Sequence, residues 1–493
     1  MPEPAAPLPD WAAAALVFGS NAAVLVVEIV ALRLLAPYLG LTLETSTLVI
    51  GLALAAIALG SWAGGLAADR VDPRRALAPL LAISAVAVAA TPFLVRGAAA
   101  VGAGAFLLPA AALTIIVPGA LLAAVTPMVT KLMLTSLAQT GTIVGRLSSI
   151  GTVGAIAGSV ITGFVLISRV PITWIMIGLA AALLLSAVAV AVWIGRTGPR
   201  TLAGGAGASV LLAAATALTP SGCDTETVYH CASVVQDEDR PFGYTLVLDQ
   251  LRHSYVDLAD PTHLEFDYVQ VMAAGIDAHF AAQEPLVVHS IGAGGLTLPR
   301  YLHAVRPGTT GTVSEVDPGV IALDREELAL PADLALQTRI EDGRVGLRSL
   351  PAAGADLVIG DAFGGVSVPW HLATREAVQE VDGALAESGI YLLNVIDYGP
   401  LAFARSEVAT VRAEFAHVAV AFDGDGGNLV VAASQAPFDD RAWQEGIRDR
   451  QVSWTVRSGA DLQEWIGAAA VLTDDYAPVD QLLTPYPAPV RQS

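Results

Sequence analysis

Three acids stand where successive strands of a parallel sheet would end: Glu315 after GTVS, Asp342 after 337–341, and Asp361 after ADLVIG at 355–360. Loops that leave parallel strands converge on the carboxyl edge of the sheet, so Glu315, Asp342 and Asp361 are predicted to face one cleft. Each could instead be a helix N-cap or a turn residue, the ordinary use of a lone acid at such a place. Ahead of them, the run 285–291 leads into GAGG at 292–295 and then into LTLPRYLHAV. Gly292 and Gly294 permit a sharp turn and a close ligand approach, and the helix that follows offers unpaired N–H groups. Glu315 and Asp317 come about twenty residues later, the separation at which an acid reaches the hydroxyls of a ribose. The chemistry expected is nucleoside binding, with a carboxylate placed to take a proton.

The elements that must position these groups follow from hydrophobic pattern. From about 240 onward, short β-branched runs alternate with amphipathic stretches, which is the pattern of a parallel sheet covered by helices. Residues 243–257 read as a hairpin, 261–283 as a helix and 285–291 as a buried strand. The expected fold of 243–485 is an α/β Rossmann-like domain of the class I methyltransferase type, with a small N-terminal β-hairpin region.

The first 220 residues have a different solvent. The chain is 54% hydrophobic and 15% charged, outside the range of soluble domains. Apolar stretches at 12–37, 46–68, 76–95, 100–125, 147–168, 172–194 and 202–220 are each long enough to cross a hydrocarbon core of about 30 Å, which gives about seven spans. Gly204, Gly205 and Gly207 dilute the last of them. No basic region precedes the first span, and further spans follow it, so it does not read as a cleaved signal peptide. The organisation expected is a helical bundle over 1–220, a linker over 221–242 and the α/β domain.

Arg70, Arg74, Arg75, Lys131, Arg146, Arg196 and Arg200 fall in alternate loops, whereas the other loops carry only Arg96 and Arg169, with Arg33 near the end of span one. Lys and Arg are retained on the cytoplasmic side, so with seven spans in a cell membrane the α/β domain is expected outside. The flank after 220 agrees: SGCDTETVYHCASVVQDED lacks Lys and Arg and holds both cysteines of the chain, Cys223 and Cys231. A disulfide there suits an oxidising compartment; free thiols, or a metal held by Cys223, His230 and Cys231, are the alternatives. Within span one, Glu28 is either a proton or cation site or makes a structural bond to a neighbouring helix, and it cannot easily pair with Arg33 about 140° round the same helix. Residues 221–493 carry 40 acids and 16 bases, which suits cationic ligands and gives no basic patch for nucleic acid.

Taken together these segments resemble the bacterial proteins in which a transporter-like bundle is fused to a spermidine synthase-like domain. In the bundle the likeness rests on EIVALRLLAPYLG followed by GSWAGGLAADRVDPRR, and Gly60, Gly64 and Gly65 before Asp69 and Arg70 are similar to the loop between helices two and three of major-facilitator transporters. In the second half, 288–300 is similar to the glycine-rich first motif of spermidine synthases, SEVD at 314–317 to the ribose-binding strand end, and EDG at 341–343 to the adenine-contacting loop. DLVIGDAF at 356–363 resembles the strand with the catalytic aspartate, and LAESGIYLLNV at 385–395 the following helix and strand, with Asn394 where the family usually has glutamine.

The resemblance implies transfer of an aminopropyl group from decarboxylated S-adenosylmethionine, a co-substrate, to a polyamine or related amine, with no metal or resident cofactor. It assigns Asp361 as the base, Gly292, Gly294, Glu315, Asp317, Asp342 and Gly343 to the nucleoside, and Tyr268, Gln270 and Asp249 to the substrate side. A homo-oligomer is a further possibility. Three family positions differ: glycine stands at Gly295 and Gly364 where aspartates are usual, and the tyrosine, histidine, glutamate run appears as Tyr268, Val269, Gln270. Asp249, Asp257 and Glu265 are the acids that could replace them. Losing the acid that holds the donor's amine also leaves open methyl transfer from S-adenosylmethionine, or a transporter or sensor that binds nucleoside or polyamine without turnover.

Overall fold

The computed structural model describes residues 8–39, 43–100, 104–134, 139–194, 207–212, 214–215, 223–249, 251–365, 367–424 and 426–484. The chain divides into two compact units, Met1–Tyr229 and His230–Ser493.

The first unit is helical: α1 (Asp10–Leu39), α2 (Leu43–Arg70), α3 (Pro73–Ala100), α4 (Gly104–Ala123), α5 (Val125–Met133), α6 (Thr140–Ile161), a π-helical turn at Thr162–Leu166, and α7 (Ile172–Ile194). Among the described residues six helices are long and apolar enough to cross a membrane, α4 and α5 counting together as one and α6 with its π turn as another. The seventh candidate, 202–220, lies mostly outside the described residues.

Glycines let these helices touch. A Cβ at Gly154 would sit 2.3 Å from the Phe18 carbonyl oxygen, and one at Gly158 2.5 Å from that of Ala22, so α1 and α6 run parallel with backbones in contact. Gly60 and Gly64 do the same for α2 against Ala120 and Ala124. Ion pairs mark the two ends of the unit. Asp10 pairs with Arg146 at 2.8 Å and Asp69 with Lys131 at 2.7 Å, where α1 and α6 begin and α2 and α5 end. At the other end Arg96 donates to Glu226 at 3.2 Å, and Glu226 also accepts from the Ile172 N–H at 2.8 Å. Arg33 donates to the carbonyls of Thr227 and Tyr229, not to Glu28. Cys223 and Cys231 are each disulfide-bonded, which excludes both the free thiols and the three-residue metal site.

The second unit opens with an antiparallel meander, β1 (Cys231–Gln236), β2 (Gly243–Leu248) and β3 (Leu251–Asp257). Helix α8 follows at Asp267–His279, shorter than the expected 261–283 because Phe266 and Phe280 are both extended. The main sheet has strands β4 (Val287–Ile291), β5 (Thr310–Glu315), β6 (Leu336–Ile340), β7 (Ala355–Gly360), β8 (Leu385–Tyr398), β9 (His417–Phe422), β10 (Gly426–Ser434) and β11 (Thr455–Ser458). Their order is β11-β9-β10-β8-β7-β4-β5-β6. Strands β4 to β8 are mutually parallel, and β10 turns antiparallel against β8. This is the class I methyltransferase-type arrangement. The stretch 385–395 is strand throughout, because the preceding helix, Arg375–Ala384, stops where Leu385 becomes extended.

Alternation along the central strands splits the core into two layers. On β8 and β7, Tyr391, Leu393 and Val358 pack on one face with Phe403 and Val408, while Ile390, Leu392, Leu357 and Ile359 pack on the other with Met272, Ile276 and Trp443. The indole Nε1 of Trp443 donates to the Val271 carbonyl at 2.9 Å, which removes the cost of burying it. That second face is covered by α8.

Replacing Gly154 by Leu should force α1 and α6 apart and cost about 1–3 kcal/mol. Gly145→Ala, where nothing lies within 4 Å of the new Cβ, should leave thermal unfolding of the detergent-solubilised chain unchanged.

Candidate active site

The period of two places Asp361 and Asn394 before any contact is considered. Asp361 continues the parity of Leu357 and Ile359 beyond the end of β7, and Asn394 that of Ile390 and Leu392 on β8, so both face α8. Helix α8 supplies the third group: Tyr268 donates from its hydroxyl to Asp361 Oδ2 at 3.1 Å. Asn394 Nδ2 donates to Asp361 Oδ1 at 2.8 Å, and Asn428 Nδ2 on β10 donates to Asn394 Oδ1 at 2.9 Å. The acid therefore sits in a polar relay drawn from four elements. Burial pushes its carboxyl up to about 6, with the bonds from Asn394 and Tyr268 working the other way. Tyr268 is raised well above the ordinary phenol range by burial and by the neighbouring carboxylate, so it remains a donor.

The glycine turn lies directly against this acid. The Asp361 N–H donates to the Ile291 carbonyl at 3.0 Å. A Cβ on Gly292, whose φ is +97°, would lie 2.4 Å from the Asp361 carbonyl oxygen. No residue but glycine fits there. Gly294 has open space around it, whereas a Cβ on Gly343 would meet Ile291 Cγ2 at 2.3 Å, so Gly343 serves packing of the third loop against β4.

Glu315 reaches back from the end of β5 to the same turn, accepting from the Ala293 N–H at 2.9 Å and the Asp317 N–H at 2.8 Å. Burial raises its carboxyl, partly offset by those two donors. Two further turn amides are engaged: Gly292 N–H with the Ser314 carbonyl at 2.9 Å and Leu296 N–H with that of Ala293 at 3.2 Å. Asp317 is wholly buried and caps the helix Pro318–Glu326 through the Gly319 N–H at 2.8 Å. Asp342 caps Gly343–Arg348 through the Arg344 N–H at 2.9 Å and also meets His371 Nε2 at 2.8 Å. Burial would raise Asp342, but His371 and the helix amides prevail and hold it below the usual carboxylate range.

The substrate-side residues separate. Tyr268 joins Asp361, but Gln270, two residues on, points about 200° round the helix from it. Asp249, at the hairpin turn with φ 60°, accepts from the Cys231 N–H at 3.1 Å and lies 2.9 Å from His230 Nδ1, which ties β1 to the hairpin. Asp257 is held by Arg240 at 2.6 Å and Glu265 by His263 at 3.2 Å. None of the three stands free for an amine. Gly295, with φ +66°, is packed on β3: a Cβ would lie 2.3 Å from Ser254 Oγ. At Gly364 the nearest atom, the Ser367 carbonyl oxygen, is 3.8 Å from where a Cβ would sit.

Sequence reasoning missed Asn428 and His253. Asn428 could have been noticed as an amide beside a long apolar run, GGNLVVAAS. His253 lies next to Tyr268, whose hydroxyl is 3.5 Å from its carbonyl oxygen, and 6.1 Å ring to ring from His230. Burial, then His230, pushes His253 down to about 4, so it is neutral.

A parallel sheet with a glycine turn at its centre, an acid at the next strand end and a buried carboxylate beside it gives the α/β domain a spermidine synthase-like fold. Known proteins agree in part. The chain is 24% identical over 230 residues to a polyamine aminopropyltransferase of Vibrio vulnificus, covering 44% of this chain and 75% of that protein. A polyamine aminopropyltransferase of Chromobacterium violaceum is 23% identical over 141 residues, 29% of this chain and 53% of that protein. Among solved structures, a probable spermidine synthase from Corynebacterium glutamicum is 27% identical with a TM-score of 0.48, covering 51% of this chain and 95% of that one. Human methyltransferase-like protein 13, solved with SAH, is 19% identical with a TM-score of 0.33, covering 44% and 100%. No family model matches the chain.

Gly364→Asp should change stability by no more than about 0.5 kcal/mol, whereas Gly295→Asp should cost at least about 2 kcal/mol in thermal unfolding. Asp361 has a folded pKa raised above the unfolded one, so the stability of its protonated form is complete below pH 3.8 and is lost as pH rises through about 6. Asp361→Asn should therefore raise the unfolding temperature at pH 8 by roughly 2–6 °C and have little effect at pH 4.

Proposed function

We propose that the α/β domain is an aminopropyltransferase that takes decarboxylated S-adenosylmethionine as donor and a polyamine or related amine as acceptor. The observation that carries this reading is the enclosed Asp361 carboxylate, held by Tyr268 and Asn394 and in backbone contact with the glycine turn. An amine nitrogen attacks the carbon attached to the donor's sulfonium, the carbon–sulfur bond breaks, and a neutral thioether leaves. Asp361 takes the proton that the nitrogen releases. An ammonium of pKa near 10 has no lone pair to attack with, so the acceptor reacts as the neutral amine, and Asp361, poised at about 6, takes a proton from the nitrogen as C–N bond formation makes it cationic. The turn supports a nucleoside without phosphates. Its amides at 292, 293 and 296 are already bonded to protein acceptors, one of them the Glu315 carboxylate, whose negative charge disfavours a phosphate beside the turn.

One observation favours a second reading, methyl transfer from S-adenosylmethionine. The left-handed Gly295 packed on Ser254 leaves no carboxylate to hold the amine of a decarboxylated donor. In both readings the domain is proposed to lie outside the cell. Glu226, just before it, pairs with Arg96 at the arginine-poor end of the helical unit, opposite Lys131 and Arg146.

The full chain in detergent, given decarboxylated S-adenosylmethionine and a panel of di- and polyamines, should release 5′-methylthioadenosine. Asp361→Asn should lower the rate by a factor of about 10²–10⁴, and the wild-type rate should fall as pH drops below about 6. Release of S-adenosylhomocysteine from S-adenosylmethionine, with no methylthioadenosine from the decarboxylated donor, would establish the second reading instead.

A further inference from the structure

Two consecutive residues at the end of the glycine turn are left-handed: Gly295 with φ +66° and Leu296 with φ 52°. For glycine this is free, but for leucine the Cβ crowds the backbone and the conformation is strained. Leu296 is also the N-cap of the helix Thr297–Val305, so its backbone fixes where that helix starts against the turn. A strained residue next to a ligand loop persists only where its surroundings over-determine it.

The surroundings are two buried ionisable side chains that no step of the proposed reaction uses. Arg300, 6% exposed, donates from Nε to the Gly295 carbonyl at 3.0 Å and from Nη2 to the Leu328 carbonyl at 2.8 Å. Asp324, 0% exposed on the helix Pro318–Glu326, faces the Gly295 N–H without closing a strict hydrogen bond. Among the charges around Asp324, Arg300 is the strongest favourable one. The Gly295 carbonyl is thus held by Arg300, and Asp324 faces the N–H of the same residue. Arginine keeps its charge even when buried, so its presence here is costly unless carbonyls and a counter-charge compensate it. The Gly295 and Leu328 carbonyls supply the first, and Asp324 lies beside the same turn.

We infer that Arg300 and Asp324 are positioning residues for nucleoside binding: together they hold the Gly295–Leu296 turn left-handed, and through it the glycine-rich loop in its binding conformation. The inference rests on the nucleoside reading of this site. It assigns the pair no contact with ligand or reacting atoms.

The test uses the full chain in detergent, with S-adenosylmethionine and 5′-methylthioadenosine as calorimetric probes and hydrogen exchange read at amides 293–297. Asp324→Asn should weaken binding of whichever probe the wild type binds by about tenfold and speed exchange at 293–297. Arg300→Lys, which keeps the charge but loses the two-carbonyl fork, should do the same and serves if the first variant fails to fold. The decisive variant is Leu296→Gly in the Asp324→Asn background. Glycine adopts the left-handed turn unaided, so binding should recover to within about threefold of wild type. Unchanged affinity and exchange in the single variants would overturn the inference, and so would weakened binding that Leu296→Gly fails to restore, since that is what general core damage produces. If the wild type binds neither probe the nucleoside reading itself falls, and exchange at 293–297 still decides whether the pair holds the turn.

Discussion

The site depends on one close approach between two backbones. The turn after β4 and the chain leaving β7 run so near each other that Gly292 has no room for a Cβ, and the Asp361 N–H closes onto the Ile291 carbonyl. Adjacent parallel strands bring their carboxyl ends to one edge, but the ladder alone sets only a spacing of about 4.8 Å. The missing side chain at 292 allows the acid to lie against the glycine turn instead of one side-chain layer away. Glu315 strengthens this geometry from the opposite neighbour, β5, by tying down the Ala293 amide.

Around that contact the domain buries ionisable groups to an unusual degree. Asp361, Asp324, Glu315 and Glu407 are all pushed upward by burial, and Arg300 is pushed downward by it. Each lowers the stability of the fold relative to an apolar residue of the same shape. For Asp361 the raised carboxyl is what the proposed reaction asks of its base. Glu407, fully buried with neither carboxylate oxygen hydrogen-bonded among the described residues, has no such account.

The helical unit obeys a different economy, since lipid supplies no hydrophobic drive between helices. Glycine contacts let α1 meet α6 and α2 meet α4, and the charged residues collect at the ends in pairs. The pair Arg96 and Glu226 puts the start of the segment leading to the α/β domain at the end where arginines are few.

The sequence alone determined what depends on local pattern. The period-two runs located β4, β5, β6 and β7 to within a residue or two, the apolar lengths located six helices, and glycine followed by strand-end acids located the turn after β4. It could also name Asp361 and Tyr268, because both carry their meaning in neighbouring residues. What it could not supply was how each acid is employed. Asp317 and Asp342 look like Glu315 in sequence, yet they cap helices, because the amides they meet belong to turns whose direction only packing sets. Gln270 looked like a partner of Tyr268 and is carried round the helix from it. Asn428 is 34 residues from the Asn394 it bonds, and Asp324 and Arg300 take their meaning from a turn on a third element. Gly295 shows the division most sharply. In sequence it is a missing acid; in the fold it is a left-handed residue pressed on Ser254, where an acid has no space. Periodicity and residue type are properties of the chain, but steric room and the partner of a buried charge exist only once distant segments have packed.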